Sequence, residues 1–142
     1  MKIYRFEHPK SKKGLFTSEL NKESYGNIHK EVVKILLDHY TYYPHDLPCP
    51  FDDCEHNQVE LLRKYINDGY NFGCSSISQL AKWIMYDKEI LENIIKVEFE
   101  VYEIELENDC ETIVMKYQVI FNPQKVKNKL KLDIKNIFEN VL

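Results

Sequence analysis

Four side chains of the types that bind zinc lie close together in one proline-rich stretch of the chain. His45, Cys49, Cys54 and His56 fall within twelve residues, and zinc takes four nitrogen or sulfur ligands in a tetrahedron. The Cys-x4-Cys-x-His spacing is not a usual zinc pattern, and three prolines restrict how the stretch can wrap an ion. The sequence favours surface histidines and half-buried cysteines, and we expect neither a metal nor another cofactor.

Cys74 is a second candidate for chemistry, because it precedes a predicted helix whose N-terminus could stabilise a thiolate. A nucleophilic cysteine also needs a base, and the sequence places none of the five histidines beside it. We therefore interpret Cys74 as a packed core thiol. No set of catalytic residues follows from the sequence.

Composition and charge exclude several classes of protein. The formal charge is −4 and the pI is near 5.7, so we expect no nucleic-acid partner. The four glycines are isolated, which disfavours a phosphate-binding loop. The apolar runs are too short to cross a bilayer, and the N-terminal residues are charged and unlike a signal peptide. We expect a cytoplasmic protein with no membrane partner.

The elements that must position these side chains follow from the spacing of apolar residues. A short β-type run before His8-Pro9 predicts a strand over residues 2–7. Apolar positions three and four apart predict helices over about 24–42 and 53–67, and two helical pieces between 77 and 95 that begin after Ser75 or Ser76.

After residue 96 the apolar spacing changes to two. Over residues 97–106 apolar side chains alternate with glutamates, and over residues 113–121 apolar side chains again fall at every second position. This pattern predicts an antiparallel hairpin over 97–121. The alternation slips between Val101 and Tyr102, so we expect a β-bulge or a strong twist there. The glutamates are interpreted as a solvated strand face. The fold class is α+β, an antiparallel or mixed sheet built on this hairpin with helices packed on one face.

The C-terminal stretch fits two alternatives. Residues 125–132 read as a lysine-faced strand or as part of a helix, and we favour the strand, with a short helix capped by Asp133 after it. The lysines would then pair across strands with the glutamates. No repeat or long linker divides the chain, so residues 1–142 are expected to form a single domain.

Four segments resemble blocks found in the same order in a group of small proteins from bacteriophages and mobile elements. The segments are Ile3-Tyr4-Arg5-Phe6-Glu7-His8, Leu47-Pro48-Cys49-Pro50-Phe51-Asp52-Asp53, Phe72-Gly73-Cys74-Ser75-Ser76-Ile77-Ser78-Gln79-Leu80-Ala81-Lys82-Trp83-Ile84 and Gln118-Val119-Ile120-Phe121-Asn122-Pro123. No catalytic role attaches to any of them. The resemblance implies a phage-type protein.

A fainter similarity is to the ADP-ribosyltransferase fold. It implies that Arg5 on the first strand binds a dinucleotide and that Ser75 or Ser76 positions the nicotinamide ribose. It also implies that Gln118 occupies the position of the catalytic glutamate. A neutral amide cannot offset developing positive charge as a carboxylate does. The similarity therefore implies a nucleotide binder more than an enzyme.

These observations predict a noncatalytic binding protein of phage or mobile-element type that modulates a host or defence protein. The support is the lack of a convergent acid, base and nucleophile, together with ten tyrosines and an acidic sheet face suited to an interface. The alternative is an ADP-ribosyltransferase-like enzyme or an NAD-type nucleotide binder. The identity of the partner and the oligomeric state do not follow from the sequence.

Overall fold

The computed structural model describes residues 1–15, 34 and 48–142, and this part of the chain contains six strands and five short α-helices. The strands are β1 (Lys2–Glu7), β2 (Asn71–Gly73), β3 (Glu100–Leu106), β4 (Thr112–Val114), β5 (Val119–Phe121) and β6 (Val126–Leu132). The helices are α1 (Pro50–Asp53), α2 (Val59–Asn67), α3 (Ile77–Trp83), α4 (Lys88–Lys96) and α5 (Ile134–Phe138), with 3-10 turns at His56–Gln58 and Pro123–Lys125. Of the helix predicted over 24–42, only Lys34 is among the described residues, where it is helical and exposed; the rest of the prediction lies outside them.

The strands form two antiparallel sheets of three strands each. The first has the order β1-β3-β6 and the second the order β2-β5-β4. One antiparallel bridge joins them: Tyr4 N–H donates to the Cys74 carbonyl at 2.8 Å, and Cys74 N–H donates to the Tyr4 carbonyl at 2.7 Å. Helices and antiparallel sheets in one chain confirm the predicted α+β class, and the predicted strand over 2–7 is β1.

The predicted hairpin over 97–121 is wrong. β3 pairs with β1 and β6, and β4 and β5 pair with each other in the second sheet. The alternating residues 113–121 contain a turn, in which Met115 N–H donates to the Gln118 carbonyl at 2.9 Å. Alternation alone did not reveal this turn, because its apolar residues continue the period of the strands on either side.

Side chains from α1 and α3 hold the turn between β4 and β5. The Asp53 carboxylate accepts from Tyr117 N–H at 3.0 Å. Gln79 Nε2 donates to the Lys116 carbonyl at 2.8 Å, and Trp83 Nε1 donates to the Tyr117 carbonyl at 2.9 Å. These contacts satisfy backbone groups that a ladder would otherwise pair. They join residues 34 to 64 positions apart, which explains why a local pattern missed the turn.

Two capping residues divide the predicted helical stretch between 77 and 95 as expected. Ser76 Oγ accepts from Gln79 N–H at 3.0 Å and begins α3. The Asp87 carboxylate accepts from two backbone N–H groups at 2.9 and 3.2 Å and begins α4. Both are ordinary N-cap interactions. The prediction of two pieces is confirmed.

The helix predicted over 53–67 is shorter than expected. Cys54 and Glu55 have extended backbone angles, so α1 and a 3-10 turn precede α2, which begins at Val59. Leu62 and Tyr65, three positions apart on α2, are buried. The C-terminal alternatives resolve to the strand: β6 runs over Val126–Leu132, and the Asp133 carboxylate accepts from a backbone N–H at the start of α5.

Three apolar clusters show where the core lies. The helix cluster joins Phe6 and Val101 of the first sheet to α3, α4 and α5. The sheet cluster joins the opposite face of that sheet to the second sheet, through Ile3, Ile104, Leu106, Val119 and Phe121. The α2 cluster packs Leu62 and Tyr65 on the outer face of the second sheet, against Ile113, Met115 and Ile120. Helices therefore pack on one face of each sheet.

The bulge expected between Val101 and Tyr102 is absent, and the apolar clusters explain why the apolar spacing changes there. The register of β3 is continuous there, and its irregularity lies between Glu105 and Leu106. Val101 faces the helix cluster, whereas Ile104 and Leu106 face the sheet cluster. The apolar positions change from odd to even numbers because the face of β3 that is buried in the core changes along the strand. A bulge with an extra residue in β3 is not needed to explain this change.

Candidate functional site

A cavity of about 430 Å³ lies where β1, β2, α1 and α3 meet. Its lining is mostly apolar, and its volume lies within the range of small-molecule sites, about 300–1,000 Å³. Phe6, Cys74, Leu80 and Trp83 contribute apolar walls. Two polar side chains that the sequence singled out, Arg5 and Gln118, also line it.

Arg5 lies on β1 and is buried beside the cavity. Its Nε donates to Glu7 at 2.9 Å, its Nη1 to the Phe72 carbonyl at 2.7 Å and its Nη2 to the Lys12 carbonyl at 3.3 Å. Burial lowers the pKa of the guanidinium, and the Glu7 carboxylate opposes that shift. Gly14 lies so close that a Cβ there would stand 3.0 Å from Nη1. Arg5 thus joins β1 to β2 and to the loop after β1.

Gln118 is the last residue of the turn before β5 and is also buried. Its Nε2 donates to the Pro48 carbonyl at 3.0 Å and to the Asp53 carboxylate at 3.4 Å. Its side-chain oxygen, Oε1, accepts no hydrogen bond from any residue in the described part of the chain. The amide therefore fixes one side of the cavity and leaves an acceptor unused.

Ser75 and Ser76, the other two residues of the nucleotide hypothesis, do not line the cavity. Both are exposed. Ser76 Oγ is engaged as the N-cap of α3, and Ser75 N–H donates to Gln79 Oε1 at 2.7 Å. The structure brings Arg5 and Gln118 to one cavity and places the serines outside it.

Cys74 lies in the cavity wall within the helix cluster. Burial raises the pKa of its thiol far above the ordinary value, so the group is a neutral thiol at physiological pH. This agrees with its interpretation as a packed core thiol. A thiolate nucleophile is not available there.

The zinc candidates are only partly described. Cys49 and Cys54 flank α1 and are partly exposed, and His56 is exposed in the following 3-10 turn. Within residues 1–15 and 48–142, no three histidine, cysteine, aspartate or glutamate side chains are grouped to hold a metal ion. His45 lies outside the described residues. The expectation of no metal stays a prediction.

The glutamates of β3 are neutralised across the strands. Lys131 pairs with Glu100 at 2.9 Å, and Lys127 lies 3.8 Å from Glu105. Lys2 of β1 pairs with Glu103 at 3.0 Å. The predicted pairing of lysines with glutamates is confirmed. The sheet therefore does not present the free acidic face that the sequence suggested as an interface.

A buried ionic network on β1 was not predicted. The Glu7 carboxylate lies between Arg5 and Lys129, pairs with both, and is 2% exposed. Arg5 and Glu7 share a strand face with the fully buried Ile3, and this period-two pattern is the signal that could have predicted their burial. The network lies on the same face of the first sheet as the sheet cluster, farther along β1.

Two cation–aromatic clusters, Arg63 with Phe51 and Lys82 and Lys116 with Tyr117, lie on α1, α2, α3 and the β4–β5 turn, and we call them together the cationic surface. Lys82 Nζ and Lys116 Nζ lie 4.5 and 5.2 Å from the centre of the Tyr117 ring. The Arg63 guanidinium lies 5.9 Å from the centre of the Phe51 ring, and the ring is exposed. The Asp53 contact with the turn brings α1 to Tyr117. These residues are scattered in sequence, so no motif could have revealed the surface.

The comparisons with known proteins decide the family. Residues 1–135 match the family described as bacteriophage T4 Y00F protein. The chain belongs to this family. The searches of curated proteins and of solved structures found no match.

Membership in the T4 Y00F family confirms the resemblance to phage proteins at the level of the family. The match covers both sheets and every residue of the cavity and the cationic surface. The similarity to ADP-ribosyltransferases stays a prediction. No helix in the described ranges is both long and apolar enough to span a bilayer.

Proposed function

We propose that this member of the T4 Y00F family is a noncatalytic binding protein that modulates a host or defence protein through its cationic surface. Two observations support the proposal: the chain belongs to a family of phage proteins, and its cationic surface is suited to an acidic partner. The surface lies on elements that the β4–β5 turn holds together, so its residues are positioned by the fold.

The groups that could perform chemistry are engaged in internal contacts in the described part of the chain. Arg5 binds Glu7 and two carbonyl groups. Ser76 caps a helix, and Cys74 is a buried, protonated thiol. An acid, a base and a nucleophile that face one another would support an enzyme instead. The described residues show no such arrangement.

The single observation that carries the proposal is the lack of counter-ions on the cationic surface. Arg63, Lys82 and Lys116 have no carboxylate partner among the described residues, whereas the lysines of β1 and β6 are paired with acidic residues. The whole chain is acidic, so this positive charge is local. Arginine and aromatic side chains are enriched in protein interfaces. An acidic protein segment fits this chemistry.

A capture experiment with charge-reversed variants tests the proposal. The tagged protein, a K82E/K116E variant and a K96E/K127E control with the same charge change on α4 and β6 are incubated with host lysate. We expect one stoichiometric protein to be recovered with the wild type and the control but not with K82E/K116E. Recovery should fall as salt rises, because exposed charges are screened. Equal recovery by all three, or none, contradicts the proposal.

A second candidate, the NAD-type nucleotide binder, is favoured by one observation: Arg5 and Gln118 line the same cavity. Calorimetric titration with NAD tests it, with Gln118→Met as the variant and the exposed Gln124→Met as the control. Saturable heat that disappears only in Gln118→Met would favour this candidate. Absence of heat in the wild type would exclude it.

A further inference from the structure

The unused acceptor of Gln118 points to a ligand in the cavity. A buried polar atom that makes no hydrogen bond costs about 1–3 kcal/mol, and native proteins contain few of them. Gln118 is 5% exposed, its Nε2 is held by Pro48 and Asp53, and Oε1 has no donor in the described part of the chain. A molecule that donates a hydrogen bond to Oε1 would satisfy the group.

Arg5 supplies the complementary function on the same cavity. A guanidinium carries five N–H donors, and three of them are used by Glu7, Phe72 and Lys12. The side chain is 5% exposed, and no other described acceptor binds it. Two donors therefore remain without a partner in the described part of the chain, on a side chain that lines the cavity.

The charges around the cavity favour an uncharged molecule. Arg5 and Lys129 share the Glu7 carboxylate, and the Asp53 carboxylate, which lies 3.4 Å from Gln118 Nε2, balances the remaining positive charge, so these four groups carry no net charge. A cation would lie against the buried guanidinium. The remaining walls, which include Phe6, Leu80 and Trp83, are apolar.

We propose that the cavity binds an uncharged, mostly apolar alcohol or phenol, whose hydroxyl group donates to Gln118 Oε1 and can also accept from Arg5. A hydroxyl group can both donate and accept, so it suits this pair of protein groups. The inference does not depend on the cationic surface. It concerns a class of ligand that carries no phosphate, so it also stands apart from the NAD hypothesis.

The test uses three probes of nearly the same shape on the full chain. They are 4-propylphenol, its methyl ether, which has no donor, and 4-propylbenzoate, which is charged. Trp83 is the single tryptophan and lines the cavity, so its fluorescence, excited at the red edge where phenols do not absorb, reports binding. We expect a saturable change with the phenol, and binding about tenfold weaker for the ether, which cannot donate to the buried acceptor.

Two variants assign the binding to the cavity. Gln118→Met removes the acceptor together with the donor that binds Pro48, so it should weaken binding of the phenol about tenfold more than binding of the ether. Gln124→Met, on the exposed 3-10 turn, is the control. Cys74→Met fills part of the cavity and should weaken the binding of phenol and ether to the same extent. Circular dichroism verifies that each variant is folded. Equal affinity for phenol and ether, tighter binding of the benzoate, or no saturation with the phenol would overturn the inference. Phenol binding without NAD binding would support it and exclude the nucleotide hypothesis.

Discussion

At the scale of single residues, three helices end in the same way but with different residue types. In α2, α3 and α4 the residue after the C-cap has a positive φ: 79° at Gly69, 58° at Met85 and 68° at Glu98. In α4, Glu98 N–H donates to the Ile95 carbonyl and Phe99 N–H to the Ile94 carbonyl, which is the Schellman pattern. Glycine fits this position without strain, and the other two residues do not.

Replacement of the strained residue at the end of α4 should stabilise the protein. Glu98 is exposed, so Glu98→Gly relieves the strain and loses little contact. We expect the free energy of unfolding to rise by about 0.5–1 kcal/mol. Glu92→Gly, at an exposed interior position of the same helix, should lower it by about 1 kcal/mol. Urea denaturation of both variants measures the difference, and a loss of stability in Glu98→Gly would refute the assignment of strain.

Tyr102 is a second residue whose environment predicts a measurable property. Burial, together with the 2.5 Å hydrogen bond to the Glu100 carboxylate, raises the pKa of Tyr102 to about 12. The unfolded value is about 10. The folded protein therefore keeps this proton after the unfolded chain has lost it. The stabilisation is fully present below about pH 10 and is lost as the pH rises through the folded value.

Removal of the carboxylate charge should shift this titration. In Glu100→Gln we expect the pKa of Tyr102 to fall toward its unfolded value, because the amide still accepts the hydrogen bond but carries no charge. Glu105→Gln, on the same strand without contact to Tyr102, is the matched control. Carbon NMR of labelled tyrosine follows the titration. An unchanged pKa of Tyr102 in Glu100→Gln would show that the carboxylate charge does not contribute to the shift.

At the scale of elements, capping residues fix where the short helices begin. The two neighbouring serines before α3 have different contacts: Ser76 Oγ accepts the capping hydrogen bond, and Ser75 contributes only its backbone N–H. Both serines are exposed. The sequence offered either as the N-cap, and the structure selects Ser76.

The pair of serines allows a matched test. Ser76→Ala should lower the free energy of unfolding by about 1 kcal/mol, because a backbone donor in the first turn of α3 loses its partner. Ser75→Ala should change it by less than about 0.5 kcal/mol. Thermal and urea denaturation measure both values. Equal effects would mean that the cap assignment is wrong.

At the scale of the whole molecule, the Arg5–Glu7–Lys129 network ties separate parts of the fold together. Arg5 links β1 to the carbonyl of Phe72 in the second sheet, and Lys129 brings the edge strand β6 to the same carboxylate. The buried Glu7 carboxylate carries one negative charge and pairs with both cations, of which Arg5 is buried and Lys129 is partly exposed. The network thus joins the two sheets and the loop after β1.

Removal of the central carboxylate should be strongly destabilising. Glu7→Leu leaves Arg5 buried without a counter-ion, and we expect the free energy of unfolding to fall by about 3–5 kcal/mol. Glu105→Leu removes the exposed pair with Lys127 and should lower it by less than about 1 kcal/mol. Chemical denaturation compares the two variants. Similar losses in both would show that the network does not stabilise the fold.

Local patterns predicted the local elements. The extent of β1, the two helices divided at Asp87, the C-terminal strand and helix, and the α+β class all followed from apolar spacing and capping residues. Of the candidate site residues, Arg5 and Gln118 were named from a resemblance, and the structure places both in one cavity. The local elements depend on residues near one another in sequence, where period and side-chain type carry the information.

Only the tertiary structure decided which strands pair, which face of β3 is buried at each point, and which charges have partners. The turn between β4 and β5 depends on Asp53, Gln79 and Trp83, and the cationic surface depends on that turn. The pairs between lysines and the glutamates of β3 were predicted, whereas the buried pairs of Glu7 with Arg5 and Lys129 depend on which strands lie side by side. Each of these outcomes depends on contacts between distant residues, and the spacing of side chains along the chain does not encode them.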